Sequence, residues 1–305
     1  MTLALHLGAL ALLLGLQFVV PPFHQGLVAR ILVLATYAVG YNLLLGYTGL
    51  MSLGHAMLFA SGMYATGLSI YHLGFGAVTG FLAGVGASVL VSALVGLVAL
   101  RTSGPAFLIV TMMLSQAFYL ALLHFNEITQ GDQGFIVSDR LPAAFATPFV
   151  KYNLALAVFA PCLLLCLGLT RSPAGRVLVA LRENEERTRL LGYNTFAYKL
   201  GALVVSGLIS GVAGSTYTLI FSYAGATFAS IQYSIYPLLW TLLGGAGTTL
   251  GPLVGTLVMT YVVDVASGLT TGYLLVVGVA LVVVILWAPA GILGAVRARW
   301  VPWLP

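Results

Sequence analysis

Polar side chains that could bind or guide a solute are few in this sequence, and they lie inside long apolar segments. Ser52 and His55 follow a glycine-rich stretch and share one helical face, and Thr111, Ser115 and Tyr119 recur every four residues. Polar groups within apolar spans are expected to face protein or water rather than lipid. The two sets are therefore candidates for the wall of a solute pathway.

Each candidate also has a structural interpretation. A histidine bonded to a neighbouring helix is the alternative for His55, and a hydrogen-bonded seam between helices is the alternative for the Thr111 stripe and for Gln116 at its edge. Asn42 suits a cap or a bond at the glycine break that follows it. Asp264 is a carboxylate within an apolar span, but it lies near the end of that span, where water can solvate it.

Covalent chemistry is not indicated. The five histidines form no HExxH pair, and no two carboxylates share an apolar span, so an intramembrane enzyme is disfavoured. Lys151 and Lys199, the two lysines, follow Val150 and Tyr198, whereas a P-loop requires glycine before its lysine. Any ATP hydrolysis is expected to come from a partner, and the residues indicate neither a metal site nor a cofactor.

Composition predicts the elements that hold these residues. Hydrophobic residues make up 60% of the 305 residues and charged residues only 6%, so the lipid bilayer is the expected solvent. The net charge of +5 comes from basic residues at the ends of apolar segments, where they orient a membrane protein. Lipid is therefore an expected partner, and nucleic acid is not.

Ten apolar windows of spanning length fit along the chain, which predicts an all-α polytopic membrane protein with residues 1–305 in one transmembrane domain. They are Leu3–Val20, Leu27–Leu45, Leu50–Tyr71, Phe75–Leu100, Pro105–Phe125, Tyr152–Leu169, Leu200–Phe221, Tyr233–Gly245, Leu250–Ser267 and Thr271–Ala288. The first window lacks a cleavage site and is expected to be an uncleaved span. Windows two to five and seven to ten form two sets of four with opposite direction, an inverted architecture typical of transporters.

Charge bias predicts the orientation. Residues 171–199 contain six basic and three acidic residues, which is typical of an exposed cytoplasmic loop. With that loop inside, the alternation of spans puts nine basic residues in the cytoplasm and three outside. Both termini are then cytoplasmic, and residues 126–150 form the longest external loop.

The 171–199 loop is predicted to fold as two short helices. Ser172 suits the N-cap of the first helix, and Asn184 suits that of the second, which ends at Gly192. Acidic residues in the first turn of the second helix and basic residues in its later turn match the helix dipole. We expect the pair to dock against a partner; a solvated loop that only fixes topology is the alternative. The apolar face comprises Val177, Leu178 and Leu181, and the side chains offered to the partner are Arg182, Leu190 and Leu191.

Two rows of small residues predict close helix packing. They are Gly76, Gly80, Gly84, Ser88, Ser92 and Gly96 in the fourth window, and Gly207, Gly211 and Gly214 in the seventh. Small side chains let a neighbouring helix approach closely, which is a main route to helix association in lipid. The rows therefore predict architecture rather than a ligand site.

Three segments resemble the motifs of a known family. They read GYTGLMSLGH from Gly46 to His55, GRVLVALRENEERTRLLG from Gly175 to Gly192, and LGGAGTTLGP from Leu243 to Pro252. In order and spacing they are similar to the membrane subunit of branched-chain amino-acid ABC importers, the LivM/LivH permease family. Leu50, Asn184 and Thr248 depart from the family pattern. Leu50 matters most, because it replaces an amide near a broken helix.

The resemblance implies the permease of a type II ABC importer in the cell inner membrane. Two permease subunits, identical or homologous, would form the pathway, a periplasmic binding protein would deliver the substrate, and two ATPase subunits would drive alternating access through the cytoplasmic loop. The implied substrate is leucine, isoleucine or valine. The alternatives are urea, another small amide or another small amino acid. The implied coupling residues are Gly175, Arg176, Leu181, Arg182, Glu183, Asn184 and Gly192, and the implied structural glycines are Gly46, Gly49, Gly54, Gly244, Gly245 and Gly251.

An ATP-independent secondary transporter is a more distant alternative to the importer. Such a transporter needs a coupling-ion site near the middle of the membrane, and Asp264 is a weak candidate for one because of its position near the end of its span.

Overall fold

The computed structural model describes residues 2–269, 272, 275, 278–279, 282, 286–288 and 290–299. Its helices are α1 Thr2–Leu16, α2 Pro22–Asn42, α3 His55–Leu73, α4 Ala77–Ala99, α5 Pro105–His124, α6 Asn126–Thr129, α7 Pro148–Arg171, α8 Pro173–Glu183, α9 Glu185–Leu190, α10 Thr195–Phe221, α11 Ile231–Gly244, α12 Gly251–Leu269 and α13 Ile292–Arg299. A π-helical turn, Leu43–Tyr47, continues α2. The strands are β1 Phe135–Ile136 and β2 Tyr223–Ala224, and the 3-10 turns are Ser138–Arg140, Ala143–Ala146 and Ala226–Ala229.

Six of the described helices are long and apolar enough to cross a membrane. They are α2 with its π-helical turn, α4, α5, α7, α10 and α12. The first and eighth predicted windows correspond to α1 and α11, which have only 15 and 14 residues. The tenth window, Thr271–Ala288, lies outside the described residues apart from single positions. The helical, multi-span character of the prediction is confirmed, and its count of ten spans stays a prediction.

The chain breaks between α2 and α3 later than the sequence predicts. The third window starts at Leu50, whereas residues 49–54 are irregular and α3 begins at His55. Gly49 has a φ of +75°, in the left-handed region that favours glycine. Ser52 Oγ then accepts a hydrogen bond from Gly54 N at 3.1 Å, which turns the chain before the helix starts.

The row of small residues on α4 packs against α3 and α10. Ser88 Oγ donates a hydrogen bond to the Gly207 carbonyl at 2.7 Å. A Cβ at Gly84 would lie 2.5 Å from the Gly62 carbonyl oxygen, so α4 and α3 touch through their backbones. The predicted close packing is confirmed along this row except at Gly76, which is exposed before α4 begins.

The row on α10 is the matching side of the same contact. A Cβ at Gly211 would collide with Ser88 of α4, and a Cβ at Gly214 would collide with the Phe59 backbone of α3. Helix α10 also packs on α2. The centre of the bundle is therefore held together by small residues, as predicted, and α10 is its common element.

The two ends of the bundle carry different connections. At one end β1 pairs antiparallel with β2, so that the long loop after α5 is held against the end of α10. We call this the hairpin end. Residues 43–54, 173–192 and 245–250 lie at the opposite end, which we call the loop end. The two short strands are the departure from the all-α prediction in the described part of the chain.

Candidate coupling and pathway sites

The helix pair α8–α9 folds as the sequence predicts. Ser172 Oγ accepts a hydrogen bond from Gly175 N at 3.2 Å, and Asn184 Oδ1 accepts one from Arg187 N at 2.9 Å. Both side chains are N-caps that satisfy otherwise unpaired amides. The chain leaves α9 through Gly192, whose φ of +90° suits glycine. The predicted helices and their caps are confirmed.

Helix α8 is fixed to the bundle by its apolar face. Val177, Leu178 and Leu181 are buried, and the helix packs on α7 and α10. Gly175 lies against the carbonyls at the end of α7, where a side chain has no room. Leu181 therefore anchors the pair to the bundle and does not face outward. The outward-facing side chains of the pair include Arg176 and Glu183.

Arg182 connects α8 to the break between α2 and α3. From the sequence we expect this side chain to meet a partner protein, but its guanidinium donates to the Gly46 carbonyl in the π-helical turn. Its aliphatic stem lies on Gly49, where a Cβ would come within 2.8 Å of Arg182 Cγ. A hydrogen bond from a charged donor is stronger than a neutral one. The helix pair is thus joined directly to the broken helix.

Asn42 joins the same break to the turn between α11 and α12. Its Nδ2 donates to the Thr248 carbonyl at 2.9 Å, and its Oδ1 accepts from Gly247 N at 2.9 Å. The amide is fully buried, so the loss of either bond would leave a polar atom unpaired at a substantial cost. The side chain therefore holds together two loops although Asn42 and Thr248 are 206 residues apart in the sequence.

Glycines allow these loops to touch. A Cβ at Gly46 would come within 2.9 Å of Gly247 Cα, and Gly244 packs on the backbone of Gly251 so closely that no side chain fits. Gly245 has a φ of +119°, which side chains rarely adopt. Three motifs that are far apart in sequence therefore meet at the loop end. The sequence did not predict this meeting.

His55 lies in a hydrogen-bonded seam between α3, α10 and α2. Its Nε2 is 2.8 Å from Ser206 Oγ, and that hydroxyl donates to the Gly40 carbonyl at 2.6 Å. Because the serine proton is used on Gly40, the histidine Nε2 must be the donor to the serine oxygen. The imidazole is fully buried against the Tyr41 ring, with 4.6 Å between the ring centroids. This geometry matches the structural alternative for His55.

The polar stripe on α5 meets the α2–α3 break at Thr111. Thr111 Oγ1 accepts a hydrogen bond from Leu53 N at 3.2 Å, and Gly54 packs against the Thr111 backbone. Ser115 is buried, and its hydroxyl has no hydrogen-bond partner among the described residues. The role of the stripe as a pathway wall stays a prediction. Its half-buried members are Gln116 and Tyr119.

A cavity of about 630 Å³ lies between α2, α11 and α12, and Gly278, which follows α12 in the chain, also lines it. None of the predicted pathway residues lines it. Arg30 and Asp264 contribute opposite charges to its wall, and aromatic and aliphatic side chains contribute most of the rest. We did not expect this site from the sequence. The signal in the sequence was that both charges belong to apolar helices and lie near the same predicted membrane face.

Comparison with known proteins shows the family. The model of the branched-chain amino acid transport system / permease component family matches residues 25–287. This chain belongs to that permease family. The high-affinity branched-chain amino acid transport system permease protein LivM of Salmonella typhimurium is 26% identical over 85% of this chain and 67% of its own length. LivH of Escherichia coli is 26% identical over 85% of this chain and 91% of its own length. No solved structure matches the chain.

The family match confirms the resemblance seen in the three motifs. The matched range contains residues 43–54, 173–192 and 245–250, which meet at the loop end of the permease. It also contains both charges of the cavity. Together with the six apolar helices, the match makes this permease a multi-pass membrane protein of a transport system.

Proposed function

We propose that this permease is the membrane subunit of an ATP-binding-cassette importer that carries leucine, isoleucine or valine across the cell inner membrane. The names of the LivM and LivH relatives support this substrate class. An apolar substrate needs few charged ligands along its path, which suits a chain with 6% charged residues. Urea, other small amides and other small amino acids are the competing substrates.

The partners of the importer divide between the two ends of the bundle. Two ATPase subunits engage the loop end, and a periplasmic binding protein docks at the hairpin end. A second permease, identical or homologous, completes the pathway. The 171–199 loop and both termini then lie in the cytoplasm, as the charge bias supports. Ten spans in the inverted halves of a type II importer, with residues 1–305 as one domain, complete the proposed architecture.

The junction of three motifs at the loop end carries this proposal. Arg182 holds α8 to the α2–α3 break, and Asn42 holds that break to Thr248 in the α11–α12 turn. Lys199 of α10 forms an ion pair with Glu185 of α9, which fixes the second helix of the pair. A displacement of α8–α9 would therefore reach both halves of the bundle at once. Rigid-body rocking of the halves then exchanges outward and inward openings.

The proposed contact surface for the ATPase subunits lies on α9 and the residues just after it. Leu190 and Leu191 are 86% and 75% exposed, and Arg187 and Arg189 lie beside them in sequence. Large exposed apolar side chains next to charged groups are typical of a protein contact. Among the proposed coupling residues, Gly175, Leu181, Arg182, Asn184 and Gly192 shape and anchor the helix pair, whereas Arg176 and Glu183 face outward.

The chain itself performs no covalent step in this mechanism. We place the solute path along the α5 stripe, where the buried Ser115 hydroxyl offers a hydrogen bond to a passing solute. Gln116 and Tyr119 extend the stripe. The polar residues Asn42, Ser52, His55 and Thr111 shape the break beside it through the hydrogen bonds described above.

Uptake by reconstituted vesicles tests the proposed function. The vesicles contain the permease pair and two ATPases, with ATP supplied at the loop end and the binding protein at the hairpin end. We expect accumulation of labelled leucine, isoleucine or valine, and no accumulation when the ATPases are left out. Accumulation against a gradient by the permease alone would contradict an ATP-driven importer. Accumulation of urea in place of leucine would contradict the substrate class.

A further inference from the structure

We propose that the cavity between α2, α11 and α12 is a recognition site for a zwitterionic α-amino acid with an apolar side chain. The inference rests on the proposed import function and adds to it a binding site within the membrane subunit. At about 630 Å³ the cavity has the size of sites that hold small ligands. Its position, its charges and its apolar wall each support this ligand.

The cavity lies in the half of the bundle nearest the hairpin end. Helix α11 starts just after β2, and α2 enters the bundle from the same end, because its other end meets Arg182. Arg30 is near the start of α2, and Asp264 is near the end of α12. Both charges therefore lie on the side where the binding protein is proposed to release the substrate.

The two charges of the wall are opposite and form no direct ion pair with each other. Among the described residues, Lys199 and Glu185 form the ion pair with a nitrogen–oxygen distance of 4.0 Å or less. The guanidinium nitrogens of Arg30 and the carboxylate oxygens of Asp264 are therefore more than 4.0 Å apart. Both side chains are exposed at the cavity, where a ligand can reach them, and Arg30 also interacts with the Tyr233 side chain. An α-amino acid carries a carboxylate that Arg30 can bind through paired N–H groups. It also carries an ammonium that can donate a hydrogen bond to the Asp264 carboxylate. One ligand thus satisfies both charges.

The rest of the cavity wall fits the aliphatic side chain of such an amino acid. Leu34 and Met259 lie farther along their helices from the hairpin end than the charges, and Leu239 and Trp240 lie deeper on α11. The Tyr236 ring stacks on Trp240 at 5.8 Å between centroids, which gives a flat apolar side to the cavity. The geometry orients an amino acid with its aliphatic side chain toward the membrane centre and its charged end toward the hairpin end.

Direct binding to the full chain in lipid nanodiscs tests the site. We expect saturable binding of labelled leucine, and a rise in Kd of about tenfold or more in Arg30→Gln and in Asp264→Asn, because each removes a charge-assisted bond. Arg140→Gln and Asp139→Asn, which change charges of the 126–150 loop outside the cavity, are the matched controls and should bind like the unaltered chain. Unchanged binding in both cavity variants, or no saturable binding by the unaltered chain, would overturn the proposal.

Competition on the unaltered chain makes the test independent of any folding defect. The competitors are 4-methylpentanoate, which is leucine without its ammonium, and 3-methylbutylamine, which is leucine without its carboxylate. Each should compete about tenfold or more less well than leucine, and equal competition would refute zwitterion recognition. ATP-driven uptake with the partner proteins reports separately on the proposed function. Uptake without leucine binding by the chain refutes the site alone, whereas binding without ATP-driven uptake refutes the function alone.

Discussion

Gly49 is the residue on which the contact between the helix pair and the bundle depends most directly. Its φ of +75° would strain a residue with a side chain, and Arg182 lies against it. The two constraints have different consequences. The backbone conformation affects folding stability, whereas the contact with Arg182 affects the transmission of movement from α8.

The variant Gly49→Ala, compared with Gly74→Ala, separates these consequences. Gly74 has a φ of +68°, and a methyl group at this position would meet no atom within 4 Å, so its variant carries the backbone strain alone. We expect both variants to lose about 1–2 kcal/mol of stability. Only Gly49→Ala should also lower the substrate moved per ATP hydrolysed, because its methyl group displaces Arg182. Melting temperature and coupled uptake are the measurements, and equal coupling in the two variants would contradict the role of the contact.

His55→Ala tests whether the buried imidazole serves structure or transport. The seam with Ser206 predicts a loss of about 1–3 kcal/mol of stability, because the buried hydroxyl oxygen loses its donor. The KM for uptake should stay unchanged. His72→Ala is the control, since this histidine is exposed and bonds the Ile128 carbonyl at 3.1 Å. A normal melting temperature with an altered KM would instead favour a pathway role for His55.

Residue-level prediction succeeded where the partner is local in sequence. Ser172 and Asn184 cap amides three residues ahead, so the residue type and its position suffice to predict the bond. The partners of Arg182 and Asn42 lie 136 and 206 residues away, and nothing in their neighbours specifies them. For the same reason the sequence did not show that Arg30 and Asp264 line one cavity.

At the scale of helices, the row of small residues on α4 is the strongest constraint on the bundle. Gly84 contacts both α3 and α10, because a Cβ there would collide with Thr66, Ser215 and the Gly62 carbonyl. Close approach of three helices at one point depends on the absence of a side chain.

Gly84→Leu should therefore separate the helices, and Gly86→Leu is its matched control on the same helix. A Cβ at Gly86 meets nothing within 4 Å, so a leucine there faces open space. We expect Gly84→Leu to lose about 1–3 kcal/mol or more through overpacking, with a fall in the yield of folded protein, while Gly86→Leu folds normally. Thermal melting in detergent measures the difference. Equal melting temperatures would refute the close-packing account.

Helical elements were predictable from apolar windows because the signal extends over about 20 residues. The start of α3 was misplaced, since residues 50–53 are apolar enough to extend a window although the helix is interrupted at Gly49 and starts again only after Gly54. The strands β1 and β2 were missed because two residues carry no periodic signal. Their pairing, Phe135 with Ala224, is a tertiary contact between loops that are far apart in the sequence.

For the whole molecule, the loop end explains why three separate motifs occur in one chain. Residues 43–54, 173–192 and 245–250 form a continuous chain of contacts from the exposed Leu190 and Leu191 to the α11–α12 turn. Such contiguous packing is a physical route by which a movement at one site biases a distant element. The order of the motifs was evident from the sequence, but their meeting depends on the complete fold.

The ratio of substrate imported to ATP hydrolysed in Arg182→Ala tests the central claim most directly. Arg101→Ala, just after α4 at the loop end and outside the three motifs, is the control. In the reconstituted importer we predict that Arg182→Ala keeps its ATPase activity but imports on the order of tenfold less leucine per ATP, since the charge-assisted bond to Gly46 is lost. Arg101→Ala should keep the normal ratio. An unchanged ratio in Arg182→Ala would contradict the claim that the helix pair drives the bundle through this junction.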